Sequence, residues 1–141
     1  MGKKGFAAVR SSFFDEASRA FEFLVSDFGL NGPELRTVLL PSVRFTGGGV
    51  RYAIRLDTGE KNVITDVEID FNEKRLIAEL PDLVQAAGIG ARNHVTSKAT
   101  SLNALQNTLE LHARYLRQLQ PLMQPDKILG LMRAAEAREW S

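Results

Sequence analysis

The sequence predicts an α+β fold with an N-terminal helix, an antiparallel β-meander of three or four strands, and C-terminal helices packed on one face of the sheet. Three observations predict it. Apolar residues recur at helical spacing near the start, alternate with polar residues over about 37–71, and return to helical spacing after about 100. Helix, meander and helices in this order describe a two-layer architecture. We therefore expect residues 1–141 to form one domain.

The first helix is predicted over about 13–28. Its apolar stripe consists of Phe14, Ala17, Phe21, Leu24 and Phe28, at spacings of three and four residues. Ser12 and Asp15 resemble a capping box, and the segment GLNGP at 29–33 supplies a glycine stop followed by proline. These signals set the expected ends of the helix.

Two segments with period two, VRYAIRLD and NVITDVEIDF, are predicted to form an antiparallel hairpin. A turn centred on Gly59 and Glu60 fixes its register. Four apolar pairs then meet on one face, namely Val50 with Ile69, Tyr52 with Val67, Ile54 with Thr65 and Leu56 with Val63. The same register sets Arg51 opposite Glu68 on the other face, which is a favourable cross-strand pair.

The preceding segment TVLLPSVRFT is predicted to supply another strand. A two-residue glycine turn places Phe45 opposite Val50 or Tyr52, and both registers keep Phe45 on the apolar face. Because Pro41 has no amide hydrogen to donate, the strand either lies at an edge or begins after this residue.

The last part of the chain is predicted to be helical. A short helix is expected at about 81–87, and Pro125 opens a final helix that runs towards Trp140. The longest helix carries an apolar stripe with Ser101 or Thr100 as its cap. The stripe consists of Leu102, Leu105, Leu109, His112, Leu116 and Leu119.

Composition excludes several classes of function. The 18 basic and 17 acidic side chains leave a net charge of +1, which gives no general attraction for nucleic acid or an anionic membrane. The chain has no cysteine, so disulfides and Cys-ligated metals are excluded. The opening residues lack the long apolar stretch of a secretory signal, and no apolar run in the sequence approaches the length of a membrane span, so the cytoplasm is the default prediction. Residues 1–11 are predicted to be a flexible basic tail.

The glycine-rich segments do not predict a nucleotide site. The triple glycine at 47–49 precedes a strand, whereas a phosphate loop requires a helix N-terminus directly after it. The TGEK sequence at 58–61 resembles a zinc-finger linker but has no cysteine on either side. The GIGAR segment at 88–92 lacks the third glycine and the preceding strand of a dinucleotide fingerprint. We interpret the first two segments as hairpin turns.

The two histidines do not form a recognisable metal set, because His94 lies in a polar loop far along the chain from His112. His112 lies on the apolar stripe of the long helix. A core histidine bonded to a neighbour is the favoured interpretation, and a buried proton shuttle is the alternative. No cofactor and no metal are expected.

Charged side chains of both signs are predicted to share the solvent-facing side of the sheet. They are Arg44, Arg51, Arg55, Asp66, Glu68 and Asp70. Neighbouring arginines compete for the carboxylates, which reduces the need for a metal ion. One interpretation is a solvated face whose charges compensate one another. The other is a recognition surface for a protein, because arginine is enriched at interfaces and a sheet holds its side chains rigidly. These six are the candidate partner-binding residues.

Four phrases resemble small bacterial immunity proteins: FEFLVSDFGL at 21–30, the hairpin VRYAIRLDTGEKNVITDVEI, LELHARYLRQL at 109–119 and the closing REW. The resemblance spans about 13–140. It implies an α+β protein that neutralises a cognate toxin by binding it, without catalysis. Immunity proteins of nuclease toxins are often strongly acidic, whereas this chain is balanced, which argues against a highly basic nuclease partner.

Two other functions stay open. A small hydrolase or ligand-binding domain would use a pocket between sheet and helices, with His112 and Tyr115 acting in it. A secretion-type chaperone or adaptor would dimerise and bind partners through apolar surface. The sequence leaves both a monomer and a homodimer open.

Overall fold

The computed structural model describes residues 2–140, and it describes the side chains of residues 6–140. Helix α1 (Gly2–Ala20) begins well before the predicted start at residue 13. Phe6 and Val9 are buried, because they continue the apolar stripe of Phe13 and Ala17 towards the N-terminus. These residues therefore belong to a helix and not to the flexible tail predicted over 1–11. Lys3 and Lys4, which belong to the predicted basic tail, have side chains outside the described residues.

The first helix also ends earlier than predicted. A turn at residues 21–22 separates α1 from a short helix α2 (Phe23–Ser26), and Gly29 follows with a φ of 72°. Phe21 and Leu24 are buried, whereas Phe28 lies beyond the helix and is partly exposed. Ser12 is inside α1, so it does not cap the helix.

The sheet is an antiparallel meander in which every strand pairs with its neighbours in sequence. Its six strands are β1 (Asn31–Arg36), β2 (Ser42–Gly47), β3 (Val50–Asp57), β4 (Asn62–Phe71), β5 (Lys74–Glu79) and β6 (Arg138–Trp140). The α+β class and the antiparallel sheet are confirmed. The predicted number of three or four strands is wrong, because β1, β5 and β6 were not foreseen.

The register predicted for the central strands is confirmed. Strands β3 and β4 pair Val50 with Ile69 and Arg51 with Glu68. Of the two registers considered for β2, the structure has the one with Phe45 opposite Tyr52. Gly48 and Gly49 form the two-residue turn with φ values of 62° and 81°, a backbone that matches the twist of a hairpin and favours glycine at both positions. Strand β2 begins directly after Pro41.

The remaining helices follow the sheet. Helix α3 (Leu80–Ala86) and helix α4 (Leu102–Leu119) lie close to their predicted bounds. The hydroxyl of Ser101 accepts a hydrogen bond from the amide of Ala104, so Ser101 is the cap of α4. Helix α5 (Pro125–Ala134) ends before the predicted limit, because the chain then turns to add β6 to the sheet.

One hydrophobic core lies between the helices and one side of the sheet, which we call the inner face. Tyr52, Ile54 and Leu56 of β3 are buried there, in the same cluster as side chains of α1 and α4. Helix α1 packs on α4. Helix α3 contacts β4 and β5, α4 contacts β4, and α5 contacts β5. The alternate residues of the strands form the outer face, which carries the charged side chains.

Candidate protein-binding surface

The outer face gathers all six residues predicted as a partner-binding surface. They are Arg44 of β2, Arg51 and Arg55 of β3, and Asp66, Glu68 and Asp70 of β4. They share a face because residues two apart in a strand point the same way, and because the observed register aligns the three strands. Arg75 of β5 lies directly opposite Asp70 and extends the set by one residue.

Arg51 is the centre of a closed ion-pair cluster. Its guanidinium donates to Glu68 Oε1 at 2.8 and 3.1 Å and to both carboxylate oxygens of Asp70 at 2.9 Å. Arg75 Nε lies 2.7 Å from the same Glu68 oxygen. The hydrogen bond with Asp70 raises the pKa of Arg51, and the same bond lowers the pKa of Asp70. The predicted Arg51–Glu68 pair is therefore present, and the protein supplies its own partners for these charges.

The second ion pair, between Arg55 and Asp66, is incomplete. Arg55 Nη2 donates to Asp66 Oδ2 at 2.5 Å. Asp66 is only 8% exposed, and its Oδ1 has no hydrogen-bond partner among the described residues. Burial raises the pKa of Asp66 even though Arg55 acts in the opposite direction. Buried polar atoms without partners are uncommon in folded proteins, so this carboxylate marks an unusual site.

Arg44 is the third member of this incomplete site. Glu34 lies directly opposite Arg44 in β1, but it accepts from Arg36 Nε at 2.9 Å instead. Within residues 6–140, Arg44 forms no ion pair, and its Nε is buried without an acceptor. The Nε atom of Arg55 is in the same condition. The end of the outer face near β1 therefore has donors that the fold itself leaves unused.

An apolar loop adjoins these arginines. The β1–β2 loop, residues 37–41, exposes 78% of Val38 and 96% of Leu39. A shallow cavity of about 300 Å³ lies where the loop meets the arginines. It is lined by Arg36, Val38, Leu39, Leu40, Ser42, Arg44 and Arg55. We call this region the arginine–leucine corner. Sequence reasoning missed it because TVLLP was considered only as part of the strand segment TVLLPSVRFT or as the residues before that strand, and its unbroken apolar run was not interpreted as an exposed loop.

His112 lies in the core, 1% exposed, as favoured from the sequence. Its Nε2 lies 2.8 Å from the carbonyl oxygen of Thr96, and its Nδ1 lies 2.8 Å from Thr65 Oγ1. A carbonyl only accepts, so Nε2 carries the proton and Nδ1 accepts from the Thr65 hydroxyl. Burial lowers the pKa of His112, which favours this neutral form. Both ring nitrogens are engaged, which weighs against the proton-shuttle alternative.

Residues 6–140 contain no group of three or more His, Asp or Glu side chains placed to hold one metal ion. In the part of the chain that the structure describes, every helix is too short or too polar to cross a bilayer. The chain matches no protein-family model, and no curated protein and no solved structure shows significant similarity to it. Its class is therefore given by its own architecture: an α+β protein with a six-stranded antiparallel meander and a charged outer face.

Proposed function

We propose that this protein is a non-catalytic protein-binding module of the immunity type, which neutralises a toxin by direct binding through the outer face of its sheet. The observation that carries the proposal is the combination of a rigid charged face with an incomplete end. Arg44, Arg55 and Asp66 have buried polar atoms without partners, and the exposed Leu39 loop lies beside them. A bound protein would supply an acceptor for the Arg44 guanidinium and an apolar cover for the loop.

The geometry supports binding rather than catalysis. Residues of the Arg51 cluster neutralise one another at hydrogen-bond distance, which holds their side chains in fixed positions. Pre-positioned side chains lose little conformational freedom when a partner arrives, so more of the contact energy appears as affinity. His112, the strongest candidate for acid–base chemistry, is closed off in the core.

The test begins with co-purification of the tagged protein from its native cell, which yields the partner in stoichiometric amount. The affinity of that isolated partner is then compared for the wild-type protein and for the double variant Arg51→Glu/Arg55→Glu. We expect at least about a hundredfold loss, because reversed charges at a desolvated interface cost several kcal/mol. The matched control is Arg92→Glu, which reverses an arginine paired with Asp82 of α3, away from the sheet face.

Thermal unfolding of each variant shows whether the fold survives the reversal. A double variant that folds and binds the partner with wild-type affinity would exclude the outer face as the binding surface. The chaperone alternative predicts a dimer, so sedimentation of the free protein as a strict monomer would count against it.

A further inference from the structure

We propose that the arginine–leucine corner is the specificity site of the outer face, and that it binds a segment of the partner protein in which an acidic side chain neighbours an aliphatic one. This inference rests on the proposed function, because it names the partner chemistry of the same surface. It adds the β1–β2 loop to that surface and makes the corner, rather than the Arg51 cluster, the place where recognition occurs.

Leu39 is the first observation. It is 96% exposed at the tip of the loop, and its φ is 64°. Glycine and asparagine adopt this left-handed backbone at much lower cost than leucine, and either would also avoid exposing an apolar side chain. Leucine is thus the poorer choice for both the loop and the solvent. Local rules are typically broken in this way at functional sites, where a side chain has a task outside the folded monomer.

The charges of the corner are the second observation. Three arginines, Arg36, Arg44 and Arg55, face two carboxylates, Glu34 and Asp66, and both carboxylates are already engaged. Arg44 is left with one excess positive charge and without an acceptor in residues 6–140. A carboxylate from the partner matches this charge and would accept hydrogen bonds from the Arg44 guanidinium.

The size and lining of the cavity indicate which side chain should accompany the carboxylate. At about 300 Å³ it is at the lower end of the range for ligand pockets, which suits one or two side chains. Val38, Leu39 and Leu40 form the apolar part of its lining. An occupant with an aliphatic side chain on these apolar residues and a carboxylate on Arg44 would contact both kinds of lining residue.

An anionic membrane also attracts arginines and leucines, but the corner is a poor match for one. Membrane-binding patches typically carry about four to eight uncompensated basic residues. Here only one arginine is uncompensated, because the other two are paired with the carboxylates of Glu34 and Asp66. A single carboxylate on a polypeptide is the better match.

The inference is tested by NMR titration of the ¹⁵N-labelled full-length chain with a capped hexapeptide of alternating leucine and glutamate. We expect amide shifts confined to residues 35–44 and 53–55, with a Kd of about 1 mM for so small a ligand. A peptide with glutamine in place of glutamate should bind at least about tenfold more weakly. Leu39→Gly and Arg44→Gln should each weaken binding of the glutamate peptide to a similar degree.

The matched control is Glu136→Gly, which also replaces a non-glycine residue of positive φ, at the end of α5, and should bind the peptide like the wild type. Leu39→Gly suits the backbone of the loop, so a loss of binding with an unchanged spectrum elsewhere reports the leucine side chain. Absence of shifts at about 5 mM peptide, equal binding of the glutamine peptide, or wild-type affinity of both corner variants would overturn the proposal.

A further arm uses vesicles that contain phosphatidylserine. Leu39-dependent sedimentation with these vesicles, without peptide binding, would overturn the peptide assignment in favour of a membrane. Failure of this inference can also be distinguished from failure of the proposed function. If the peptide fails while Arg51→Glu/Arg55→Glu still abolishes the partner complex, the corner is wrong and the outer face stands.

Discussion

Thr65 and Asp66 are neighbours in β4 that point to opposite faces of the sheet, and both are buried. Thr65 meets His112, whose other nitrogen meets the carbonyl of Thr96, so this inner centre is closed. Asp66 meets Arg55 but keeps one carboxylate oxygen without a partner among the described residues. The same strand therefore carries a complete polar centre under the helices and an incomplete one on the side that faces outward.

The two centres differ in what they are expected to contribute to stability. A buried polar group that lacks a hydrogen bond destabilises the native state by about 1–3 kcal/mol. The inner centre avoids this cost, whereas the outer centre retains it next to an exposed leucine loop. The outer face thus keeps polar atoms without partners among the described residues beside an exposed apolar loop, and this combination supports the proposed function.

The largest effect on stability is expected from removing His112, which bonds to both Thr65 and Thr96 in the core. His112→Ala removes a buried ring and leaves the hydroxyl of Thr65 and the carbonyl of Thr96 without partners. We expect the free energy of unfolding to fall by about 2–4 kcal/mol, measured by urea denaturation with far-UV circular dichroism. His94→Ala, at an exposed position, is the control and should change it by less than about 0.5 kcal/mol. An unchanged urea midpoint for His112→Ala would show that the centre does not stabilise the fold.

The second prediction concerns pH. Burial lowers the pKa of His112, so in the window below 6.5 the unfolded chain binds more protons than the native one. The free energy of unfolding should therefore fall as the pH drops through 6.5, by at most about 1.4 kcal/mol per pH unit. The slope is measured from urea denaturation at successive pH values.

Two variants distinguish the contributions of His112 and Asp66 to this pH dependence. His112→Gln should lose the slope below 6.5. Asp66 acts in the opposite direction at lower pH: its pKa is raised above 3.8, so its contribution to stability is greatest at acid pH and is lost as the pH rises through that window. Asp66→Asn should remove this second slope only. An identical pH profile for His112→Gln and wild type would contradict the neutral buried histidine.

The smallest effect is expected within the outer face itself. Arg51→Gln breaks a cluster whose arginine is partly exposed, and it should lower the free energy of unfolding by about 0.5–1 kcal/mol, less at high salt. Arg36→Gln breaks the more exposed pair with Glu34 and should cost still less. If both variants lower the free energy of unfolding by the same amount in this denaturation measurement, the Arg51 cluster stabilises the fold no more than an ordinary surface pair does.

Sequence reasoning succeeded where side chains alternate. The β3–β4 register followed from four apolar pairs and one turn, and it brought the six candidate residues to one face. It missed β5 and both edge strands, β1 and β6. The edge strands are paired through main-chain hydrogen bonds, which do not depend on an apolar side-chain pattern. All six residues of β1 are exposed and β6 has only three residues, so neither leaves an alternating pattern.

The sequence predicted only those contacts of the candidate site that follow from strand register. Arg51 and Glu68 are directly opposite, so register alone predicts their contact. Asp66 instead lies opposite Ala53, and this small side chain leaves room for Arg55 to reach Asp66 diagonally. A diagonal contact depends on side-chain conformations, and the left-handed backbone of Leu39 depends on the loop as a whole. Neither is encoded in the periodicity of the sequence.

Trp140, in the three-residue strand β6, has a practical consequence for spectroscopy. It is the chain's single tryptophan, and it lies 55% exposed opposite Arg75 at the edge of the sheet. A terminal edge strand is released at lower free energy than the core. Tryptophan fluorescence will therefore follow detachment of this strand and give a lower bound on global stability. The same indole is a built-in fluorophore next to the outer face, suited to following partner binding without a dye.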